Sequence, residues 1–373
     1  MPRLRILHVN LSSSFGGREL RVLNEMLAMR ERGHRLEIAC SARSELERRS
    51  TRHGFTTHSV EMSGLFAAAC APLRILAILH AGDFEIINTH SVSDDLRTGL
   101  LGRFVKTCLL VRTHHREERR RLPKFYESAS DHVITVSDYL RRRYLDRGFP
   151  THRAMAVPTS LDVAGAFPES ASTRLALGLP DSAIIVGSMA DERDGNGLLL
   201  LVEAMRPLIE MRPDVHLVLA GLDGARLNLI KRRALDIGLK GRVHFANRAL
   251  PDDRLIETFD IYAVTPEIDV EGSAFIRASA SGLPVVGTAV GCIPEVIKNG
   301  VSGYVVLASD VLILRSVLGK LIEDDGLRRR LGRGGYQRFQ RHGKFGTART
   351  AEVLEHAYLG WLKAGEQRAG EGI

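Results

Sequence analysis

Short apolar runs rich in Val, Ile and Leu alternate along the chain with longer stretches of helical periodicity. Arg5-Ile6-Leu7-His8-Val9 reads as a buried strand, the polar segment Asn10 to Gly17 as a turn, and residues 19–32 as an amphipathic helix ended by Gly33-His34. The next strand is Arg35-Leu36-Glu37-Ile38-Ala39-Cys40, which makes a βαβ unit of parallel-sheet type. The alternation continues with a helix over 73–80, strands at 84–88, 108–112 and 131–137, and a helix carrying Arg141 to Arg143. Residues 166–182 are rich in Ala, Ser, Pro and Gly and read as a linker. A second alternating set follows, with strands at 183–187, 215–220, 241–245, 261–264 and 285–288 and helices over 198–211, 225–237 and 251–258. An amphipathic helix over 351–362 closes the pattern, and the polar tail from Ala364 is expected to fray.

Two strand-to-helix transitions lie back to back between Ala263 and Val306. Asp269, Glu271, Gly272 and Ser273 open a small-residue helix whose free N–H groups and positive dipole end suit a phosphate or another anion. Gly282 supplies the helix stop, Pro284 prevents continuation, and Val285-Val286 enters a buried parallel strand.

The 373 residues suit two domains rather than one core. No run of about 18 uncharged apolar residues appears, and the start leads straight into a strand, so a cytoplasmic protein is expected. Cys40, Cys70, Cys108 and Cys292 are scattered without metal or disulfide spacing. Charge divides unevenly: residues 1–165 hold 26 Lys+Arg against 18 Asp+Glu, and residues 166–373 hold 26 of each. The excess clusters at Arg116, Arg119, Arg120, Arg121 and Lys124 and again at Arg141, Arg142 and Arg143. An anionic partner is therefore expected on the first half, with a lipid surface ahead of nucleic acid and a plain solvated surface as the alternative.

Ligands of open α/β sheets bind outside the carboxyl ends of the strands, which favours His90, after the strand over 84–88, and His115, after that over 108–112. Adjacent His114 points the other way and reads as a bystander. Gly16-Gly17 after the first strand is not a dinucleotide fingerprint, and no acidic residue closes the second strand.

The segment from Asp269 to Glu295, with Gly282-Leu283-Pro284-Val285-Val286 at its centre, resembles the donor-sugar signature of the retaining glycosyltransferases of family 4. The likeness extends over most of the chain, including Asp131-His132-Val133-Ile134-Thr135-Val136-Ser137. It implies a GT-B architecture, two Rossmann-like α/β domains with doubly wound parallel sheets facing a cleft. The expected divisions are an acceptor-side domain at 1–165, the linker at 166–182, a nucleotide-sugar domain at 183–345 and a helix at 346–373 crossing back to the first domain. The resemblance further implies His115 and Asp269 at the reaction centre, and Gly16, Gly17 and Glu19 in the acceptor-side loop. Donor contacts are implied for Gly187, Arg193, Asn196, Asn247, Glu271, Gly272, Ser273, Ala274 and Arg277. The sequence departs from the family where Asp269 and Arg277 replace two glutamates and where Asp191 and Asn196 replace an Arg and a Lys that clamp the diphosphate. Arg193 and Arg277 are the available substitutes.

No Asp-x-Asp motif, metal-ligand spacing, nucleophile elbow or ATPase-type phosphate loop is present. The favoured reading is a metal-independent retaining hexosyltransferase without a cofactor, a nucleotide-sugar being the co-substrate. Its partners would be that donor, a saccharide or lipid-linked acceptor of the cell envelope and an anionic membrane face, not nucleic acid. The alternatives are a catalytically impaired scaffold subunit of a polysaccharide pathway and a sugar-nucleotide epimerase of the same fold.

Overall fold

The computed structural model describes residues 2–91, 94, 108–115, 130–160, 171–189, 197–246, 252–267, 273–340 and 343–371. The chain divides into two compact units, one of Met1–Leu161 with Phe345–Ile373 and one of Asp162–Lys344.

The first unit is built on a seven-stranded parallel sheet in the order β3-β2-β1-β4-β5-β6-β7. Its strands are β1 (Arg5–Asn10), β2 (Arg35–Ser41), β3 (Thr56–Val60), β4 (Ile86–Thr89), β5 (Leu109–His114), β6 (His132–Thr135) and β7 (Ala154–Ala156). The helices described are α1 (Gly17–Glu31), α2 (Glu45–Arg52), α3 (Leu65–Ala81), α4 (Asp138–Asp146) and the C-terminal helix Thr347–Glu371. Alternation sorts the side chains of β1: Ile6 joins a core with Val22, Met26, Leu354 and Tyr358, whereas Leu7 and Val9 join one with Ile75 and Leu79. One face is thus covered by α1 and the C-terminal helix, the other by α3. Ser44 and Ser137 cap α2 and α4 through their hydroxyls.

The second unit carries a six-stranded parallel sheet in the order β10-β9-β8-β11-β12-β13. Its strands are β8 (Ile184–Met189), β9 (Val215–Ala220), β10 (Val243–Ala246), β11 (Ile261–Val264), β12 (Val285–Thr288) and β13 (Gly303–Val306). Its helices are α5 (Ala171–Ala176), α6 (Gly197–Met211), α7 (Gly224–Asp236), α8 (Asp252–Ile256), α9 (Ser273–Ala280), α10 (Ile293–Val296), α11 (Val311–Glu323) and α12 (Asp325–Phe339). Gly282 takes φ +82° directly after α9, the left-handed turn that lets the chain reverse into β12. Gly332 of α12 sits so close that a Cβ there would lie 1.9 Å from the Gly282 carbonyl oxygen, and α12 thereby packs directly on the α9–β12 turn.

Several expected boundaries move. The described part of the expected linker, 171–182, does not stand apart: α5 belongs to the second unit, where Arg174 donates to the Asp181 and Ala183 carbonyls and pairs with Asp260 at 3.2 Å. The helix expected over 73–80 begins at Leu65 and contains Pro72 within it. The last helix runs past Ala364 and continues to Glu371. That helix, which completes the chain as α13, lies on the first unit, with Tyr358 and Leu354 fully buried there.

All four cysteines are free thiols, and burial pushes the Cys40 thiol up to about 12. Among the described residues no helix is long and apolar enough to cross a membrane.

Candidate functional site

In the first sheet the strand order reverses between β1 and β4, and in the second between β8 and β11. Such switch points open a crevice at the carboxyl ends of the strands, where ligands of this sheet type bind.

At the first switch point β1 and β4 pair in register with His8 opposite Asn88, and β4 pairs β5 with Asn88 opposite Val111. Because side chains alternate, His8, Asn88, His90, Thr113 and His115 all emerge on the face covered by α1 and α13. The Thr113 hydroxyl donates to Asn88 at 2.8 Å, and the Asn88 amide donates to the Tyr358 hydroxyl at 3.1 Å. Above them three imidazoles stand in file. His8 Nδ1 lies 2.9 Å from His90 Nε2, and His90 Nδ1 lies 3.2 Å from His115 Nε2. The His8 and His90 rings are nearly coplanar, with an interplanar angle of 11° and centroids 5.2 Å apart, so they meet edge to edge. Burial pushes His8 down to about 3 and His90 well below the usual histidine range, where the neighbouring imidazoles and the Arg21 and Arg18 guanidiniums add to the effect. Burial thus disfavours a positive charge on His8 and on His90.

His115 thus closes this file, while His114 occupies the opposite face with its ring 4.9 Å from Tyr144. His8 was not singled out from the sequence, since it lies inside an apolar strand. The signal for it is tertiary, the β1–β4 register.

The loop after β1 is shaped by Glu19, which is buried. Its carboxylate accepts the Gly16 N–H at 2.9 Å, the Arg18 Nε–H at 2.8 Å and the Asn10 amide at 3.4 Å. Glu19 therefore caps α1 and holds the loop. Gly17 is the first residue of α1. Gly16 has an extended backbone, φ −149°, and a Cβ there would meet nothing nearer than a carboxylate oxygen at 3.7 Å. Among the described residues, neither backbone strain nor packing demands a glycine at that position.

Beneath the loop lies a buried ion pair, Arg21 with Glu25 at 4.0 Å, and Arg21 also donates to the Thr159 hydroxyl at 3.2 Å. Burial raises the Glu25 carboxyl and lowers the Arg21 guanidinium, each partly countered by the other.

At the second switch point the segment after β11 is clamped on both sides. The Thr265 hydroxyl donates to the Gly197 carbonyl at 2.8 Å, and the Thr288 hydroxyl donates to the Pro266 carbonyl at 2.7 Å. A Cβ on Gly197 would lie 1.7 Å from the Thr265 carbonyl oxygen, so only glycine lets the first turn of α6 reach this strand end. Gly197, Thr265 and Thr288 were not foreseen as site-shaping residues. Gly187, expected as a donor contact, lies inside β8, paired with Val218 and Tyr262, where a Cβ would meet the Phe259 ring at 2.1 Å.

Ser273 and Ala274 form the first turn of α9, and half-buried Arg277 follows one turn on. Asp191, Arg193, Asn196, Asn247, Asp269, Glu271 and Gly272 lie outside the described residues, as do Arg116, Arg119, Arg120, Arg121 and Lys124. Of the basic residues expected on the first unit, Arg141 and Arg142 both pair with Asp138 on α4. Among the described residues no group of three or more His, Cys, Asp or Glu side chains is placed to hold a metal ion.

Two family models match the chain: Glycosyltransferase Family 4 over residues 15–164 and Glycosyl transferases group 1 over residues 172–338. A D-inositol 3-phosphate glycosyltransferase of Corynebacterium urealyticum is 28% identical over 239 residues, covering 60% of this chain and 56% of that protein. A GDP-mannose-dependent alpha-(1-6)-phosphatidylinositol monomannoside mannosyltransferase of Mycolicibacterium smegmatis is 30% identical over 209 residues, covering 52% and 54%. The chain spans about half the length of the curated relatives it matches. Among solved structures, Anabaena Alr3699/HepE in complex with UDP-glucose superposes with a TM-score of 0.78 at 17% identity, covering 95% of this chain and 99% of that one. It shares the fold.

Proposed function

The chain belongs to the family 4 glycosyltransferases, with the GT-B fold, and on that premise we propose that it moves a sugar from a nucleotide-diphosphate donor to a saccharide or lipid-linked acceptor of the cell envelope, with retention at the anomeric carbon. The activities of the two curated relatives and the UDP-glucose bound by the structural neighbour support the substrate classes.

The observation that carries the reading is His115. It follows β5, the strand paired with β4 beside the switch point, in the place of the family's histidine, and its ring is held by His90. At Gly16 the described residues leave room for a Cβ, which suits the close approach of a ligand to the loop backbone. In the second unit the first N–H groups of α9, at Ser273 and Ala274, would take the diphosphate, and the helix dipole would stabilise the charge that grows as it leaves. Catalysis then rests on positioning and leaving-group stabilisation, without a cofactor or a metal ion. An anionic membrane face would hold the first unit, through Arg142 on α4 and the basic residues 116–124.

A second reading, a scaffold that has lost catalysis, is favoured by one feature of the sequence: Asp269, Arg277, Asp191 and Asn196 occupy four positions where family members carry two glutamates, an Arg and a Lys. A panel of nucleotide-sugars read by mass spectrometry separates the two. A transferase releases nucleoside diphosphate from one of them, whereas a scaffold releases none.

A further inference from the structure

The file of His8, His90 and His115 spans three strands at the β1–β4 switch point, and nothing in the proposed chemistry uses its first two members. Each contact in it is nitrogen to nitrogen, 2.9 Å and 3.2 Å, and each has room for one proton. All three rings are buried, at 1%, 2% and 6% exposure. The Arg18 and Arg21 guanidiniums oppose a positive charge on His90. A neutral imidazole carries one N–H and one lone pair.

With all three rings neutral, two proton arrangements satisfy both contacts. In one, His8 donates from Nδ1 to His90 Nε2, His90 then donates from Nδ1 to His115 Nε2, and His115 carries its own proton on Nδ1. In the other, His115 donates from Nε2 to His90 Nδ1, His90 donates from Nε2 to His8 Nδ1, and His8 carries its proton on Nε2. Every ring is an Nδ1–H tautomer in the first arrangement and an Nε2–H tautomer in the second. A mixed set would turn two lone pairs or two N–H groups toward each other in a buried contact.

We propose that His8 and His90 are positioning residues that lock the tautomer of His115, so that the proton position on β1 decides which hydrogen-bonding role His115 Nδ1 presents beyond β5. In the first arrangement Nδ1 donates, which suits an oxygen of a sugar or a phosphate. In the second it accepts, which suits a hydroxyl about to lose its proton. This consequence rests on the transferase reading, whereas the coupling itself does not.

The test is nitrogen-15 NMR of the full chain with labelled histidine and no ligand, in which the proton coupling of each ring nitrogen reports its tautomer. The wild type is expected to show one shared tautomer for His8, His90 and His115. A mixed set would overturn the proposal without any variant. His8→Phe keeps a ring but removes the first contact, and is expected to change the His115 pattern two rings away. His114, on the other face of β5, serves as the control and keeps its pattern. His8→Asn, whose side-chain amide stands near the place of Nδ1 and can donate or accept, is expected to restore the wild-type pattern at His115. An unchanged His115 in both His8→Phe and His90→Phe would also overturn it. If the tautomers agree but no sugar donor is turned over, the transferase reading fails and the coupling stands. If donor is turned over, His8→Phe is expected to lower kcat roughly tenfold with KM unchanged, as for a misoriented catalytic group.

Discussion

Glu355 and His34 meet across 321 residues of sequence, the His34 Nε2–H donating to the Glu355 carboxylate at 3.1 Å. The direction of that bond follows from the other ring nitrogen, Nδ1, which accepts the Leu4 N–H at 3.2 Å. Arg32 donates to the same carboxylate from Nε at 2.7 Å. The end of the chain is thereby tied to the turn before β2, with the His34 and Glu355 side chains almost wholly buried.

Removing that carboxylate leaves Arg32 and His34 without their shared acceptor. Glu355→Ala is expected to destabilise the first unit by about 3 kcal/mol, the cost of breaking a buried charged contact from one side. Urea unfolding followed by Trp361 fluorescence measures it, because the Trp361 indole stacks on His132 within this unit at 4.0 Å.

Acid should loosen the same unit. His8 is held down to about 3, and His90 and His114 well below their usual range, mainly by burial. The unfolded chain binds protons at these sites below about pH 6.5, and the folded chain does not until far lower pH. Their contribution to stability is thus fully present above pH 6.5 and is lost as pH falls toward 3, by up to about 1.4 kcal/mol per unit for each group. The urea midpoint should drop between pH 7.5 and pH 5, and His8→Phe should flatten that drop.

Most of both sheets was legible because buried parallel strands read as apolar runs bounded by turn residues, as in Ile261–Val264 and Val285–Thr288. What escaped has a physical reason in each case. The edge strand Thr56–Val60 is half exposed and has no apolar run to mark it. The helix Glu45–Arg52 is so polar that only its Ser44 cap and spacing betray it. Pro72 sits where a helix start is expected, yet α3 passes through it. In the site, His115 could be found because it ends a strand, but His8 depends on which strands become neighbours, and Gly197 depends on how near two backbones come.

Arg277 carries the sharpest departure from the family pattern. It would supply positive charge toward the diphosphate in place of the missing Arg and Lys, so Arg277→Glu is expected to weaken nucleoside diphosphate binding although it restores the family residue. Calorimetry with uridine and guanosine diphosphates measures this. Tighter binding by the variant would favour the scaffold reading.

Membrane association should be electrostatic. The excess charge of the first half predicts co-sedimentation with anionic vesicles, at about 1 kcal/mol per basic side chain near the surface, weakening as salt rises. Equal binding to neutral vesicles, or binding that high salt leaves intact, would contradict it.

The central claim is sugar transfer that depends on His115, and turnover of one donor by the wild type and by His115→Ala tests it most directly. The account predicts that the wild type releases nucleoside diphosphate and yields a glycoside with the donor's anomeric configuration, while the variant remains folded under the assay conditions and turns over roughly 10²-fold more slowly or worse. Release of no nucleoside diphosphate by the wild type from any donor, or full turnover by the variant, would contradict it.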